Sequence, residues 1–335
     1  MKFGFRQLAG YGLITALAFM GSCGERSVYA NSEVADLLNQ VQNAPSLTVH
    51  SGVRKVDSFY NLSGKDETVS YREEVVTDGE GHFTINPIEV LLGASVDNQT
   101  FRFLLKSREG FNWRYRDFLV RDLPTFLDNY KLRSWGRSVL VAGRDCYELD
   151  VIRKDGSSRW EVAMDAATGI VLSYYEYDGQ DRLYSSMVYE SVDFDPDLTG
   201  VTFHQANNIE LDLKGAQDPV SILGFDPLLP KLLPDSAFRF VSATALDNGN
   251  GGVWAKLEYT DGVQTILYLD CGLALPLLSV PAGVFAPAQN MEEKLQLFRA
   301  GPVTVLQGSI FGHEIIAVGK VPQLDLQLLV ESAIQ

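Results

Sequence analysis

The sequence predicts an α+β protein of two domains, each built on an antiparallel sheet. Three observations carry this reading. The chain has 335 residues, enough for two cores of about 100–200 residues each. Between residues 137 and 191, apolar and polar residues alternate across turns rich in Gly and Asp. A proline-rich stretch, with Pro196, Pro219, Pro227, Pro230 and Pro234, then separates that half from a second run of alternating segments.

Residues 1–30 read as an export signal: Lys2 and Arg6 precede a mostly apolar stretch from Leu8 to Met20, and no acid occurs before Glu25. The stretch is shorter than the ~20 apolar residues that span a bilayer. Two cleavage sites compete. Met20-Gly21-Ser22-Cys23 resembles a bacterial lipobox and would end the signal at residue 22, making Cys23 a lipid-modified first residue, whereas Val28-Tyr29-Ala30 suits a general signal peptidase.

The first domain is expected over residues 31–197. Asn31 and Ser32 are candidate caps of a helix whose Val34, Leu37, Leu38 and Val41 share one face and which ends at Pro45. Strands follow at 47–53, 68–77, 82–85 and 101–107, and a short helix at 124–132. The clearest part is a four-strand meander over 137–191, turning at Lys154-Asp155-Gly156, at Asp165 to Gly169 and at Asp178 to Asp181. On its strands Trp160, Val162 and Met164, then Leu172 and Tyr174, then Met187 and Tyr189 take alternate positions. Such a sheet buries one face.

Residues 198–230 are expected to link the domains. In the second domain, residues 231–335, strands are expected at 238–244, 253–260, 264–270, 303–307 and 314–318 and a helix at 291–299. A C-terminal helix after Pro322 would bury Leu326, Leu329, Val330, Ala333 and Ile334.

Composition excludes nucleic acid as a partner. Lys and Arg number 28 against 43 Asp and Glu, a net charge of -15; without Lys2 and Arg6 the count is 26 against 43, or -17. Phosphate binding depends on basic residues displacing counterions. No catalytic, cofactor or metal motif stands out. His50, His82, His204 and His313 are isolated in sequence, Asp193, Asp195 and Asp197 lack the Gly and Glu of a calcium loop, and residues 247–252 join two strands instead of opening a helix. Cys146 and Cys271 read as buried free thiols. The aromatics Phe111, Trp113, Tyr115, Phe118, Trp135 and Trp160 suit a sheet core, or else the wall of a cavity for acyl chains. Trp160, Val162, Met164, Tyr174 and Met187 are the candidate lining of that cavity.

Two ordered sets of residues resemble the RseB/MucB family of periplasmic sigma-E regulators. In the first domain these are Gly143 to Leu149, Lys154-Asp155-Gly156, Trp160 to Asp165, Tyr177 to Gln180 and Val192-Asp193-Phe194. In the second they are Leu233-Pro234, Tyr259-Thr260-Asp261-Gly262, Ala300 to Val303 and Ile316 to Pro322. Lys320, where the family tends to have an acid, and an insertion over 273–290 depart from the pattern.

The resemblance implies a fold class of α+β: an incomplete antiparallel β-barrel closed by helices, similar to LolA, followed by a smaller α+β domain with an antiparallel sheet. It implies a sensor and not an enzyme, one that binds the periplasmic segment of a membrane-anchored anti-sigma factor and releases it when a lipid or mislocalised lipoprotein fills the cavity. The candidate partner-binding residues are Tyr259, Asp261, Gly262, Gly319 and Pro322. The alternative is a lipoprotein or lipid carrier of the outer-membrane sorting type with no sigma-factor partner.

Overall fold

The structure is a computed structural model that describes residues 32–62, 65–92, 116–203, 208–211, 218–231, 236–247, 253–272, 288–291, 295–300, 303–321 and 323–333. The export signal with Cys23, the strand expected at 101–107, the aromatics Phe111, Trp113 and Tyr115, the loop at 248–252, residues 273–287 of the insertion, and Pro322 lie outside the described residues.

Helix α1 (Ser32–Leu47) opens the first domain and keeps Pro45 inside its last turn. Proline lacks the N–H for one more helical bond, and the bond from Thr48 N to Ala44 O, 2.9 Å, closes the end. Strands β1 (Val49–Leu62), β2 (Lys65–Asp78) and β3 (Phe83–Leu92) follow. After helix α2 (Leu123–Asn129) come β4 (Tyr130–Val141), β5 (Arg144–Arg153), β6 (Ser158–Asp165), β7 (Val171–Asp178) and β8 (Leu183–Asp193). All pair antiparallel in the order β3-β2-β1-β8-β7-β6-β5-β4. Edge strands β3 and β4 stand at opposite ends of this order, so among the described residues the sheet is open and does not close into a barrel.

The expected meander is β5 to β8. Its turns place Gly156, Gly169 and Asp181 at positive φ, the region that glycine and aspartate tolerate. The inner face carries Val56, Tyr71, Val75, Trp160, Val162, Met164, Leu172, Tyr174 and Met187, all buried against Leu38 and Val41 of α1 and Phe126 of α2.

The second sheet runs β13-β14-β15-β16-β12-β11-β10-β9. Its strands are β9 (Asn208–Glu210), β10 (Arg239–Asp247), β11 (Val253–Thr260), β12 (Thr265–Asp270), β13 (Ala288–Met291), β14 (Leu295–Ala300), β15 (Val303–Ile310) and β16 (His313–Gly319). Helices α3 (Pro219–Leu223) and α4 (Gln323–Ser332) pack on one face, with Leu223, Leu326, Leu329 and Val330 in the core.

The helix expected at 291–299 is instead the end of β13 and most of β14. Its apolar Leu295 and Leu297 are two apart and both buried while Gln296 is exposed, a period of two that suits a strand pairing with β15. Within 198–230, β9 pairs with β10 and Leu211 and Leu223 enter the second core. Helix α3 forms there because Asp218 caps it, Pro219 starts it and Gly224 ends it in the left-handed region. Cys146 and Cys271 are free and buried, and burial raises their thiol pKa values to about 11 and about 12.

Candidate functional site

Alternation on β1, β2 and β8 turns His50, Arg54, Glu73 and Tyr189 toward the inside of the first domain, together with Val75 and Met187. A cavity of about 290 Å³ opens there, at the lower end of the ~300–1,000 Å³ usual for ligand pockets. Val41, Val75, Ile85, Phe118, Ile170 and Met187 give it an apolar wall, and His50, Arg54, Asp117, Arg121 and Tyr189 a polar one.

The polar wall is an ion network. Arg54 Nε lies 2.7 Å from Glu73 Oε1 and its Nη2 lies 2.8 Å from Asp117 Oδ2. Arg116 adds a bond of 2.6 Å to Glu73 Oε1 and another of 2.8 Å to the Tyr71 hydroxyl. Burial works against the charge on Asp117, but Arg116 and Arg54 more than offset it and hold its carboxyl below the usual range. Arg54, opposed by the same burial, is held above its ordinary value by Asp117 and Glu73.

His50 sits 3.2 Å from the Tyr189 hydroxyl and 3.0 Å from the Thr77 hydroxyl. Burial first, with Arg54 adding to it against the Thr48 carbonyl, lowers its pKa from 6.5 to about 4. A depressed folded-state pKa means that the unfolded chain takes the proton first. The stabilisation is therefore full above pH 6.5 and lost as pH falls toward 4. The melting temperature should fall across that window by the equivalent of roughly 3 kcal/mol, and His50→Gln should flatten the decline. A fall of the same size in the variant would take His50 out of the explanation.

Of the five candidate lining residues, Met187 lines this cavity. Trp160, Val162, Met164 and Tyr174 are packed in the surrounding core at 0–1% exposure. Trp160 and Tyr174 meet each other edge-on at 5.7 Å, and both face a lysine from the second domain.

That lysine is Lys320, after β16. Its Nζ is ion-paired with Glu176 and donates to Ser185 Oγ at 2.6 Å and to Arg116 O at 3.3 Å. It lies 5.1 Å, 5.2 Å and 6.0 Å from the ring centres of Trp160, Tyr174 and Tyr184, within reach of cation–π attraction. Burial pushes Glu176 up and Lys320 down, and each partner opposes the other's shift.

Beside it, Asp261 accepts from the Tyr130 hydroxyl at 2.7 Å and from Val263 N and Gln264 N at 3.0 Å and 2.8 Å. Arg153 Nε stands 3.7 Å away. Burial raises the Asp261 pKa in spite of Arg153. Gly262 has φ 104°, and a Cβ there would sit 2.4 Å from Phe126 Cα and N.

Four of the five candidate partner-binding residues are thus gathered at, or just behind, the joint between domains, and the fifth, Pro322, lies outside the described residues. Tyr259 is buried in the second core against Phe240, Asp261 and Gly262 are buried between the domains, and Gly319 is buried between β12 and β15. None of these four offers an open surface in this arrangement. Sequence reasoning passed over Arg54, Glu73 and Glu176. Glu73 stands in line with buried Tyr71 and Val75 and Glu176 with Tyr174, a signal readable without a structure, whereas Arg54 is buried on the face of β1 opposite to the alternating Val49 and Val53.

Two other clusters are structural. Asp78, Glu80 and His82 bring ligand atoms within 4.8 Å of one another, but Asp78 already accepts from Glu80 N, His82 N and His82 Nδ1. His313 Nδ1 lies 3.0 Å from both Asp270 oxygens, and Asp270 also ties down Leu228 N and Gly272 N.

No family model matches the chain, and no curated protein matches it. Among solved structures, the crystal structure of MucB superposes with a TM-score of 0.50, covering 90% of this chain and 98% of that one at 14% identity. The chain has the MucB fold. Two complexes also align: MucB with MucA(peri), covering 91% of this chain and 98% of that one at 14% identity and TM-score 0.46, and the Pseudomonas aeruginosa MucA/MucB complex, with the same coverage at 16% identity and TM-score 0.44. The alignment with MucB takes in both sheets, so the MucB fold, and not its first half alone, is what this sequence encodes.

Proposed function

We propose that this chain is a non-enzymatic periplasmic regulator that binds the periplasmic segment of a membrane-anchored anti-sigma factor and senses a lipid or mislocalised lipoprotein. The observation that carries the sensing half is the cavity, whose apolar wall faces an ion network. An acyl chain placed there gains about 0.8 kcal/mol per buried methylene, while the polar wall hydrogen-bonds the ligand's polar end. The partner half rests on the sequence resemblance set out above together with the MucB fold over both domains. In this reading the second domain makes the main contact with the partner, and Tyr259, Asp261, Gly262 and Gly319 act by setting the geometry of the joint. Cys23 is the residue that would carry a lipid anchor.

The test is capture of the anti-sigma segment by the chain from residue 31 onward, with and without a fluorescent fatty acid. Capture should weaken as salt rises, because the acidic chain selects a basic surface, and the fatty acid should release the segment. Absence of capture at low salt would defeat the regulator. Fatty-acid uptake without capture would leave the carrier.

A further inference from the structure

One short segment touches both the cavity and the second domain. Residues 117–122 belong to no helix or strand, so side chains and isolated backbone bonds hold them in place. On one side Asp117, Phe118, Leu119 and Arg121 line the cavity. On the other, Arg121 N donates to Gly262 O at 2.8 Å, Arg121 Nε donates to Val263 O at 3.0 Å, and the carbonyl of Arg116 accepts from Lys320 Nζ at 3.3 Å.

The segment also starts α2: Asp122 Oδ1 accepts from Thr125 N at 2.9 Å. That helix carries Phe126 against Gly262 and Asn129, whose Nδ2 donates to Ala237 O and Asp261 O at 2.8 Å and 3.0 Å. Phe118 and Val120 are buried in the first core. A close-packed core transmits a displacement instead of absorbing it. A ligand that presses on Phe118 and Leu119 therefore moves the groups that grip Gly262, Val263 and Lys320.

We propose that residues 116–122 are a strap through which filling of the first-domain cavity loosens the hold on the second domain. The inference rests on the cavity being a ligand site, as argued above, and it adds the route by which that site reaches the other domain. Linkage makes the effect reciprocal. If filling the cavity loosens the joint, loosening the joint must favour filling the cavity.

The experiment places spin labels at Gln180→Cys and Glu331→Cys, both exposed positions in different domains, in the chain from residue 31 onward. Interdomain distances are measured with and without a fluorescent fatty acid, whose affinity is titrated in parallel. Loading should shift the distance distribution, and Glu176→Gln, which removes the charge paired with Lys320, should tighten fatty-acid binding by about fivefold. A purely structural Glu176 would lower the melting temperature and leave the affinity unchanged.

Binding with unchanged distances and an unchanged affinity in Glu176→Gln would overturn the strap while sparing the cavity. If the fatty acid does not bind, the ligand reading fails, and Ile85→Trp, which fills the cavity from its wall, decides the strap alone. A shifted distance in that variant supports it and an unshifted one overturns it. Should Ile85→Trp not fold, Val171→Phe makes the same test.

Discussion

Replacing Lys320 by methionine should destabilise the chain by about 3–5 kcal/mol, the usual result of leaving one charge of a buried ion pair behind. Both side chains are nearly inaccessible, at 5% for Lys320 and 2% for Glu176. Removing the ammonium strands the Glu176 carboxylate among Trp160, Tyr174 and Ser185, where among the described residues Ser185 Oγ at 2.8 Å and Gln264 Nε2 at 3.4 Å still donate to it. The double variant Lys320→Met with Glu176→Leu should recover most of the loss, since an apolar pair of similar volume repays no desolvation. Urea unfolding followed by tryptophan emission reads both, because Trp160 lies against the pair. A single variant as stable as the parent would mean that the pair is solvated and that the joint does not depend on it.

Gly262→Ala should cost about 2–5 kcal/mol, combining the strain of a side chain at positive φ with overpacking against α2. At φ 104° the added methyl would meet Phe126 Cα and N at 2.4 Å, and backbone atoms cannot rotate away. Gly156→Ala separates the two contributions. Its φ is 75° with nothing within 4 Å of the new Cβ, so it should lose only the backbone cost of about 1–2 kcal/mol. Thermal melts of the two variants make the comparison. Equal losses would show that contact with α2 adds nothing at Gly262, and that Phe126 does not seat the second domain.

The meander was legible because its evidence is local. The turns at Gly156, Gly169 and Asp181 have the residues their φ values need, and between them a period of two leaves no choice of face for Trp160, Val162 and Met164. The same alternation sets Glu73 in line with Tyr71 and Val75 and Glu176 in line with Tyr174, but a buried charge is meaningful only with its partner, and the partners are distant in sequence. Residues 291–299 misled for the opposite reason. Their composition suits a helix, and only pairing of β14 with β15 over Leu295 to Ala300 made them a strand. Trp160 and Tyr174 were correctly read as inward, yet an inward face does not say whether it meets a cavity, a helix or a lysine.

By itself the sequence determined the two antiparallel sheets, the hairpin turns and inward faces of the meander, the helix at each end of the described chain and the acidic surface. These follow from backbone preferences and burial periodicity within a few residues. On β1 the alternating Val49 and Val53 suggested the wrong face, since His50, Arg54 and Val56 are the buried set. Tertiary structure alone decided the position of the cavity, the ion network that lines it and the joint that buries Lys320. Lys320 and its acceptor Ser185 are 135 residues apart, and their bond forms only once both sheets are built and desolvated together. A charge is tolerated in a core only where its counter-charge and donors already stand, and that condition belongs to the assembled fold.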